Sequence, residues 1–284
     1  MKKLLIFLLL INCLLASLVP AFAEQNYNDW IGKEIIFLPM TESMQKYGYQ
    51  LYSYTFGGFG PIPYTDLANK SARIVELKQD TGILYITFKT EDGKIVYGQG
   101  YGGNLESIAF KSEMENVKQY IGKTIWTKVD LGTSPYILDT VTNKPKNIRL
   151  PNLAGYVIQN IEWGHNETWP LKFTLVSTTN DIVLWEGSYS RINDTSNKLM
   201  RPLEEYWYLS DPVKIYPKWP QRAWDAIKEY KIYIGMNKEM VLMSWGKPER
   251  VYRTTTANRV SEQWVYGSSN YVYFDNGVVS AIQN

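Results

Sequence analysis

The chain repeats itself. Trp30-Ile31-Gly32-Lys33-Glu34-Ile35 is answered about ninety residues later by Tyr120-Ile121-Gly122-Lys123-Thr124-Ile125. Ile86-Thr87-Phe88 then parallels Phe173-Thr174-Leu175. Ile95-Val96-Tyr97-Gly98-Gln99-Gly100 parallels Ile182-Val183-Leu184-Trp185-Glu186-Gly187, in the same order. Self-similarity at a fixed spacing means that one supersecondary plan is used twice. It predicts two related modules, 24–118 and 119–212, behind a leader (1–23) and ahead of a third module (213–284).

Each repeated unit reads as β structure. Ile83–Lys89 is rich in β-branched and aromatic residues, and Asp92-Gly93 separates it from the run beginning Ile95-Val96-Tyr97. Asp-Gly between such runs predicts a two-residue hairpin, because that turn needs positive φ at both central positions. In the second copy Thr179-Asn180-Asp181 joins Leu171–Ser177 to Ile182–Gly187. The aromatic-Ile-Gly-Lys segment reads as an opening strand, with Gly32 or Gly122 where the backbone bends tightly. Five or six short strands per copy predict a small β-barrel-like module, SH3-like in scale, with a sandwich as the other arrangement.

The third module changes period. Ala223, Trp224, Ile227 and Tyr230 share a helical face, as do Met240, Val241 and Trp245. Asn237 suits the N-cap of the second helix, and Gly246 followed by Pro248 suits its end. Strands are expected at Arg250–Thr254, Glu262–Tyr266, Tyr271–Phe274 and Val278–Ile282, with Asn276-Gly277 as a hairpin turn. The expected fold class is therefore mainly β, with an α+β C-terminal module.

The N-terminus reads as a secretory signal peptide: Lys2-Lys3, an apolar run from Leu4 to Val19, and Ala21-Phe22-Ala23 as the cleavage pattern. The other readings are an uncleaved anchor, for which the run is short and broken by Pro20, and lipidation at Cys13, which lies inside the apolar run. After cleavage at Ala23 there is no transmembrane span and no cysteine, so stability rests on burial rather than disulfides. Taking Lys2 and Lys3 from the 30 basic residues leaves 28, equal to the 28 acidic ones. A neutral chain argues against nucleic acid as a partner, since that affinity comes from Lys and Arg on phosphates.

Helix, Gly-capped helix, Gly246-Lys247-Pro248, Trp264-Val265-Tyr266 and an aromatic strand before Asn276-Gly277 occur in one order at the C-terminus. This segment, about 220–284, resembles the SmpA/OmlA (BamE-like) outer-membrane assembly lipoprotein family. The resemblance implies a small protein-binding or lipid-associated envelope module in a periplasmic or outer-membrane-associated protein of a Gram-negative bacterium; a secreted protein is the other possibility. This chain differs in having two β modules in front and no lipidation site of the usual form. Gly235, Met236, Gly246 and Pro248 read as fold determinants. Asn-x-Ser/Thr triplets at Asn69, Asn166 and Asn193 matter only in a eukaryotic secretory route.

Catalytic chemistry finds little material. His165 is the sole histidine, in a polar, turn-like stretch, and reads as an exposed loop residue rather than a triad member. Clusters of His and Cys for a metal are excluded in the mature chain, and neither an EF-hand nor a Walker-type loop occurs. Gly98-x-Gly100-x-x-Gly103 has dinucleotide-loop spacing without the parallel strand-helix context. Glu162, Glu167 and Glu186 are the carboxylates nearest to a glycosidase pair. No cofactor is expected.

One stretch stands apart. Tyr52-Ser53-Tyr54-Thr55-Phe56-Gly57-Gly58-Phe59-Gly60-Pro61-Ile62-Pro63-Tyr64 mixes rings with glycine and proline, and the second copy has no matching sequence. With 22 Tyr and 10 Trp in the chain, aromatics are expected in a β core. On a glycine-broken loop, Tyr52, Tyr54, Phe56, Phe59 and Tyr64 either cap the module or form a binding surface for sugar or peptide. The expected function is a non-catalytic interaction protein, binding another protein or an envelope component. A carbohydrate- or peptidoglycan-binding protein and a carboxylate hydrolase are the alternatives.

Overall fold

Alternation of apolar residues builds the strands. β4, Ile83–Thr90, buries Leu84, Ile86, Phe88 and Thr90 and turns Ile83, Tyr85, Thr87 and Lys89 outward. The computed structural model describes residues 27–58, 60–101, 106–131, 134–139, 142, 144–189 and 202–284. The leader, Cys13, Phe59, Gly103 and Asn193 lie outside the described residues. The rest is mainly β: three antiparallel sheets, one of them a curled half-barrel, with few short helices. No helix among the described residues is long and apolar enough to cross a membrane.

The first sheet contains β1 (Glu34–Phe37), β2 (Tyr52–Ser53), β3 (Ser71–Asp80), β4, β5 (Ile95–Tyr101) and β6 (Ile108–Phe110), ordered β2-β5-β4-β3-β1-β6. The second contains β7 (Thr124–Thr127), β8 (Tyr136–Leu138), β9 (Pro145–Asn147), β10 (Gly155–Trp163), β11 (Leu171–Ser177), β12 (Ile182–Gly187) and β13 (Trp207–Tyr208). Read from β9, its order is β9-β8-β12-β11-β10-β7-β13. Apart from β9, every strand has a counterpart in the first sheet at the same place. Registers agree as well: Ile74 opposes Phe88 as Ile158 opposes Leu175, and Phe88 opposes Val96 as Leu175 opposes Val183. Each long strand has its bulge at the same point, after Ile74 and after Ile158.

The entry to each sheet is duplicated too, but it is not the strand that the sequence suggests. Asn28–Trp30 and Lys118–Tyr120 form single 3-10 turns, and extended backbone starts only at Glu34 and Thr124. Gly32 (φ 86°) and Gly122 (φ 81°) take the left-handed conformation that ends each turn. Their amides donate to the Ile74 and Ile158 carbonyls, each at 2.8 Å. The Asp92-Gly93 hairpin also differs from expectation. Only Gly93 has positive φ, and the Thr90 amide donates to Lys94 O at 2.9 Å, so three residues, Glu91, Asp92 and Gly93, lie within the closing pair. The Thr90 hydroxyl, which donates to Asp92 Oδ1, supports this wider turn. Ser177 and Asp181 close the matching turn at 3.0 Å, with Asn180 at φ 65°.

Apolar contacts join the first two sheets. Ile36, Leu38 and Ala109 form a patch beside Trp163 of β10. The helix Lys111–Val117 sends Met114 and Val117 into the second core, and its buried Glu113 accepts from the Tyr189 amide at 2.7 Å.

The third sheet is a meander of β14 (Arg250–Thr255), β15 (Val260–Tyr266), β16 (Asn270–Asp275) and β17 (Val278–Gln283), with helices nearby. Asn276 and Gly277 both have positive φ, as their hairpin requires. The helix Gln221–Lys228 buries Ala223, Trp224 and Ile227, and the helix Lys238–Trp245 buries Met240, Val241 and Met243. They share a core with Trp264, Val272, Phe274 and Val279. The Asn237 side chain caps the second helix, accepting from Met240 N at 2.8 Å.

Candidate functional site

The edge strand β2 sorts the loop's rings into two groups. Tyr52 faces inward opposite Gly98 of β5. A Cβ on Gly98 would lie 2.9 Å from the Tyr52 ring, so glycine provides its space. Tyr52 is buried, packs 5.4 Å from the Phe37 ring and donates its hydroxyl to Glu106 O at 2.5 Å. Burial, with Glu167 and Glu106 nearby, raises its pKa well above the ordinary phenol value. Tyr64 is half-buried and stacks on Tyr49, centroids 6.4 Å apart and planes 9° apart. Tyr52 thus packs in the core while also lining the concavity between loop and sheet, and Tyr64 packs against the core's edge.

Tyr54 and Phe56 belong to the surface. Tyr54 donates to Asp66 Oδ2 at 3.2 Å, and burial and that carboxylate raise its pKa. Ser53 Oγ accepts from Thr55 N (3.1 Å) and donates to Thr55 O (3.0 Å), and Gly58 N donates to Thr55 O (2.9 Å). This turn holds Phe56 edge-on to Tyr97 of β5, centroids 5.7 Å apart and planes 80° apart. Phe56 also lies 6.3 Å from Tyr85 of β4 and is 71% exposed.

Tyr85 and Tyr97 do not belong to the loop and escaped the sequence reading. Their signal was present: odd-numbered positions of β4 and β5 face outward once register is known. Cross-strand pairing sets Tyr85 between Lys78 and Gln99, and Tyr97 between Thr87 and Ser53. Thr87 in turn donates to Glu76 Oε2 at 3.4 Å. The two tyrosines are diagonal neighbours, which in antiparallel sheets places them ~7–8 Å apart. The outer face therefore alternates rings with hydroxyl, amide and charged groups. A concavity of about 500 Å³ opens between this face and the loop, lined by Gln50, Thr55, Phe56, Tyr85, Tyr97 and Gln99 among others.

The carboxylates singled out from sequence have structural partners. Glu162 pairs with Lys172 at 2.8 Å, and Lys172 opposes Glu186 on the next strand. Glu186 accepts from the Tyr136 hydroxyl at 3.3 Å, and burial, then Glu186, push the Tyr136 pKa up to about 12. Glu167 lies elsewhere, at the junction of the first two sheets, accepting from Ser107 N at 3.1 Å. His165 is exposed at the same junction, its Nδ1 3.2 Å from Pro39 O. Gly98 and Gly100 lie within an antiparallel strand rather than at the end of a parallel one. Among the described residues no three His, Cys, Asp or Glu side chains gather as metal ligands.

No family model, curated protein or solved structure matches this chain.

Proposed function

We propose that this chain is an exported, non-catalytic interaction protein of the cell envelope, and that it binds a protein or envelope component through the outer face of its first sheet. The observation that carries this reading is the grouping of Phe56, Tyr85 and Tyr97 around one concavity, with Phe56 71% exposed. Large exposed rings cost hydration free energy unless a ligand covers them, and such patches mark binding surfaces. The signal-like leader supports export.

The finer architecture belongs to the same proposal. The first two modules are SH3-like β units derived from one duplicated plan, a reading supported by their matched strand order. The third is BamE-like, supported by two helices sharing a core with a four-stranded meander. The division at 24–118, 119–212 and 213–284 follows from these units.

Site-specific photocrosslinking tests the role. A benzophenone side chain at position 56, introduced into the full chain in its native host, is expected to yield a crosslinked envelope partner. The same group at exposed Ile182 of the second sheet is expected to yield none. Retention of the chain in the cytosol with residues 1–23 attached, or equal crosslinking at both positions, contradicts the proposal.

A further inference from the structure

We infer that the outer face of the first sheet is a carbohydrate site that takes consecutive pyranose rings of a neutral oligosaccharide. The inference rests on the interaction role proposed above and names the ligand of that same face.

The second sheet supplies an internal control. Its β11 and β12 repeat the register of β4 and β5, so each outward position of one sheet has a counterpart in the other. Lys172 stands where the first sheet has Tyr85, and Leu184 where it has Tyr97. Glu162 and Glu186 stand for Lys78 and Gln99. The second copy thus closes this row with an ion pair, Glu162 to Lys172. One topology accepts Lys172, and Leu184 where the place is buried, so the register alone does not demand aromatic rings there. Their presence in the first copy, with Phe56 folded over them, calls for another cause.

The chemistry of the face selects the ligand. A pyranose ring has one face of C–H groups and a rim of hydroxyls. The C–H face suits the electron-rich face of an aromatic ring, and the hydroxyls need neighbouring donors and acceptors. Each tyrosine here is flanked across the sheet by such groups: Lys78 and Gln99 beside Tyr85, Thr87 and Ser53 beside Tyr97. A proline-rich peptide prefers continuous aromatic-lined grooves, which this alternation interrupts. Lys78, Glu76 and Asp80 are all exposed and mix signs, so no single-sign field selects a polyanion or polycation.

The test uses the full exported chain and calorimetric titration with three probes, chitotetraose, cellotetraose and maltotetraose, beside a proline-rich decapeptide. Saturable binding of at least one tetrasaccharide is expected, with no binding of the peptide. The double variant Tyr85→Lys/Tyr97→Leu, which installs the second copy's residues, is expected to weaken that binding at least about tenfold. Phe56→Ser, at an exposed position, is expected to weaken it as well and guards against a misfolded double variant. Failure of all three sugars to saturate up to roughly 10 mM, or affinity unchanged in both variants, overturns the assignment. Peptide binding abolished by the same variants transfers the site to a peptide and also overturns it. If the sugars fail while position 56 still crosslinks an envelope protein, the sugar assignment falls and the interaction role stands. If the chain stays in the cytosol, the role itself falls.

Discussion

The side-chain amide of Asn152 donates to the Met243 carbonyl at 2.9 Å, and both residues are buried. The same nitrogen donates to Ile227 O at 3.1 Å. Met243 and Ile227 lie in the last turns of the two C-terminal helices, where carbonyls run short of partners within the helix, and Ile227 O also accepts from Tyr230 N at 3.1 Å. One residue between β9 and β10 therefore reaches the ends of both C-terminal helices. Tyr230, whose hydroxyl donates to Leu150 O at 3.0 Å, reinforces the junction.

Replacing Asn152 with leucine removes the side-chain partner of the buried Met243 carbonyl, while Ile227 O keeps its bond from Tyr230 N at 3.1 Å. The loss of that one partner costs ~1–3 kcal/mol, and a decrease of that size is expected in urea unfolding. Limited proteolysis is expected to cut first near the helices Gln221–Lys228 and Lys238–Trp245, because their ends lose a shared contact. A variant as stable as the parent and equally protease-resistant contradicts the contact.

By register, Gly98 of β5 stands where β12 carries Trp185. A methyl group on Gly98 would meet Tyr52 at 2.9 Å and Phe88 at 3.0 Å, both ring atoms held in the core. Gly98→Ala is expected to destabilise the chain by ~1–3 kcal/mol through overpacking. Pairing it with Tyr52→Leu, which frees the space, is expected to recover part of the loss. Thermal unfolding of the single and double variants checks the non-additivity.

Glu262 is 8% exposed and accepts from Lys238 Nζ at 2.7 Å and Trp264 Nε1 at 2.9 Å. The hydrogen bond from Lys238 holds its carboxyl below the ordinary value of 4.5; burial opposes this and the indole assists. A carboxyl whose pKa is lower in the folded state stabilises fully above its unfolded value and loses that contribution as pH falls through the folded value. Stability is thus expected to decline from about pH 4.5 downward more steeply in the parent than in Glu262→Gln. Urea midpoints measured across that range read the difference; parallel curves contradict it.

Much of this fold was legible because each signal was local. Asn237, Gly246 and Asn276-Gly277 act within a few residues, and the C-terminal helices and strands lie where the sequence placed them. The duplicated order was visible from Gly32 and Gly122 because both copies need the same backbone conformation. The strands β3, β8, β9 and β10 were less visible, since their polar outward residues blur the alternation. β8 takes β2's place beside β12 without sharing its glycine-aromatic composition. The binding face was half legible. The loop drew attention to Phe56, but Tyr85 and Tyr97 join it only through cross-strand register, which no single stretch encodes. Pleating turns Tyr52 into the core, and a short helix leaves Tyr64 half-buried against it.

Rings on the first sheet's outer face that serve a ligand and not the fold can be replaced without loss of stability. The direct measurement is the unfolding free energy of Tyr85→Lys/Tyr97→Leu in urea. Because the second sheet already carries Lys172 and Leu184 at these places, the account predicts a value within about 1 kcal/mol of the parent. A loss of about 3 kcal/mol or more, the size expected of core residues, would show that the rings hold the module together and would contradict the claim.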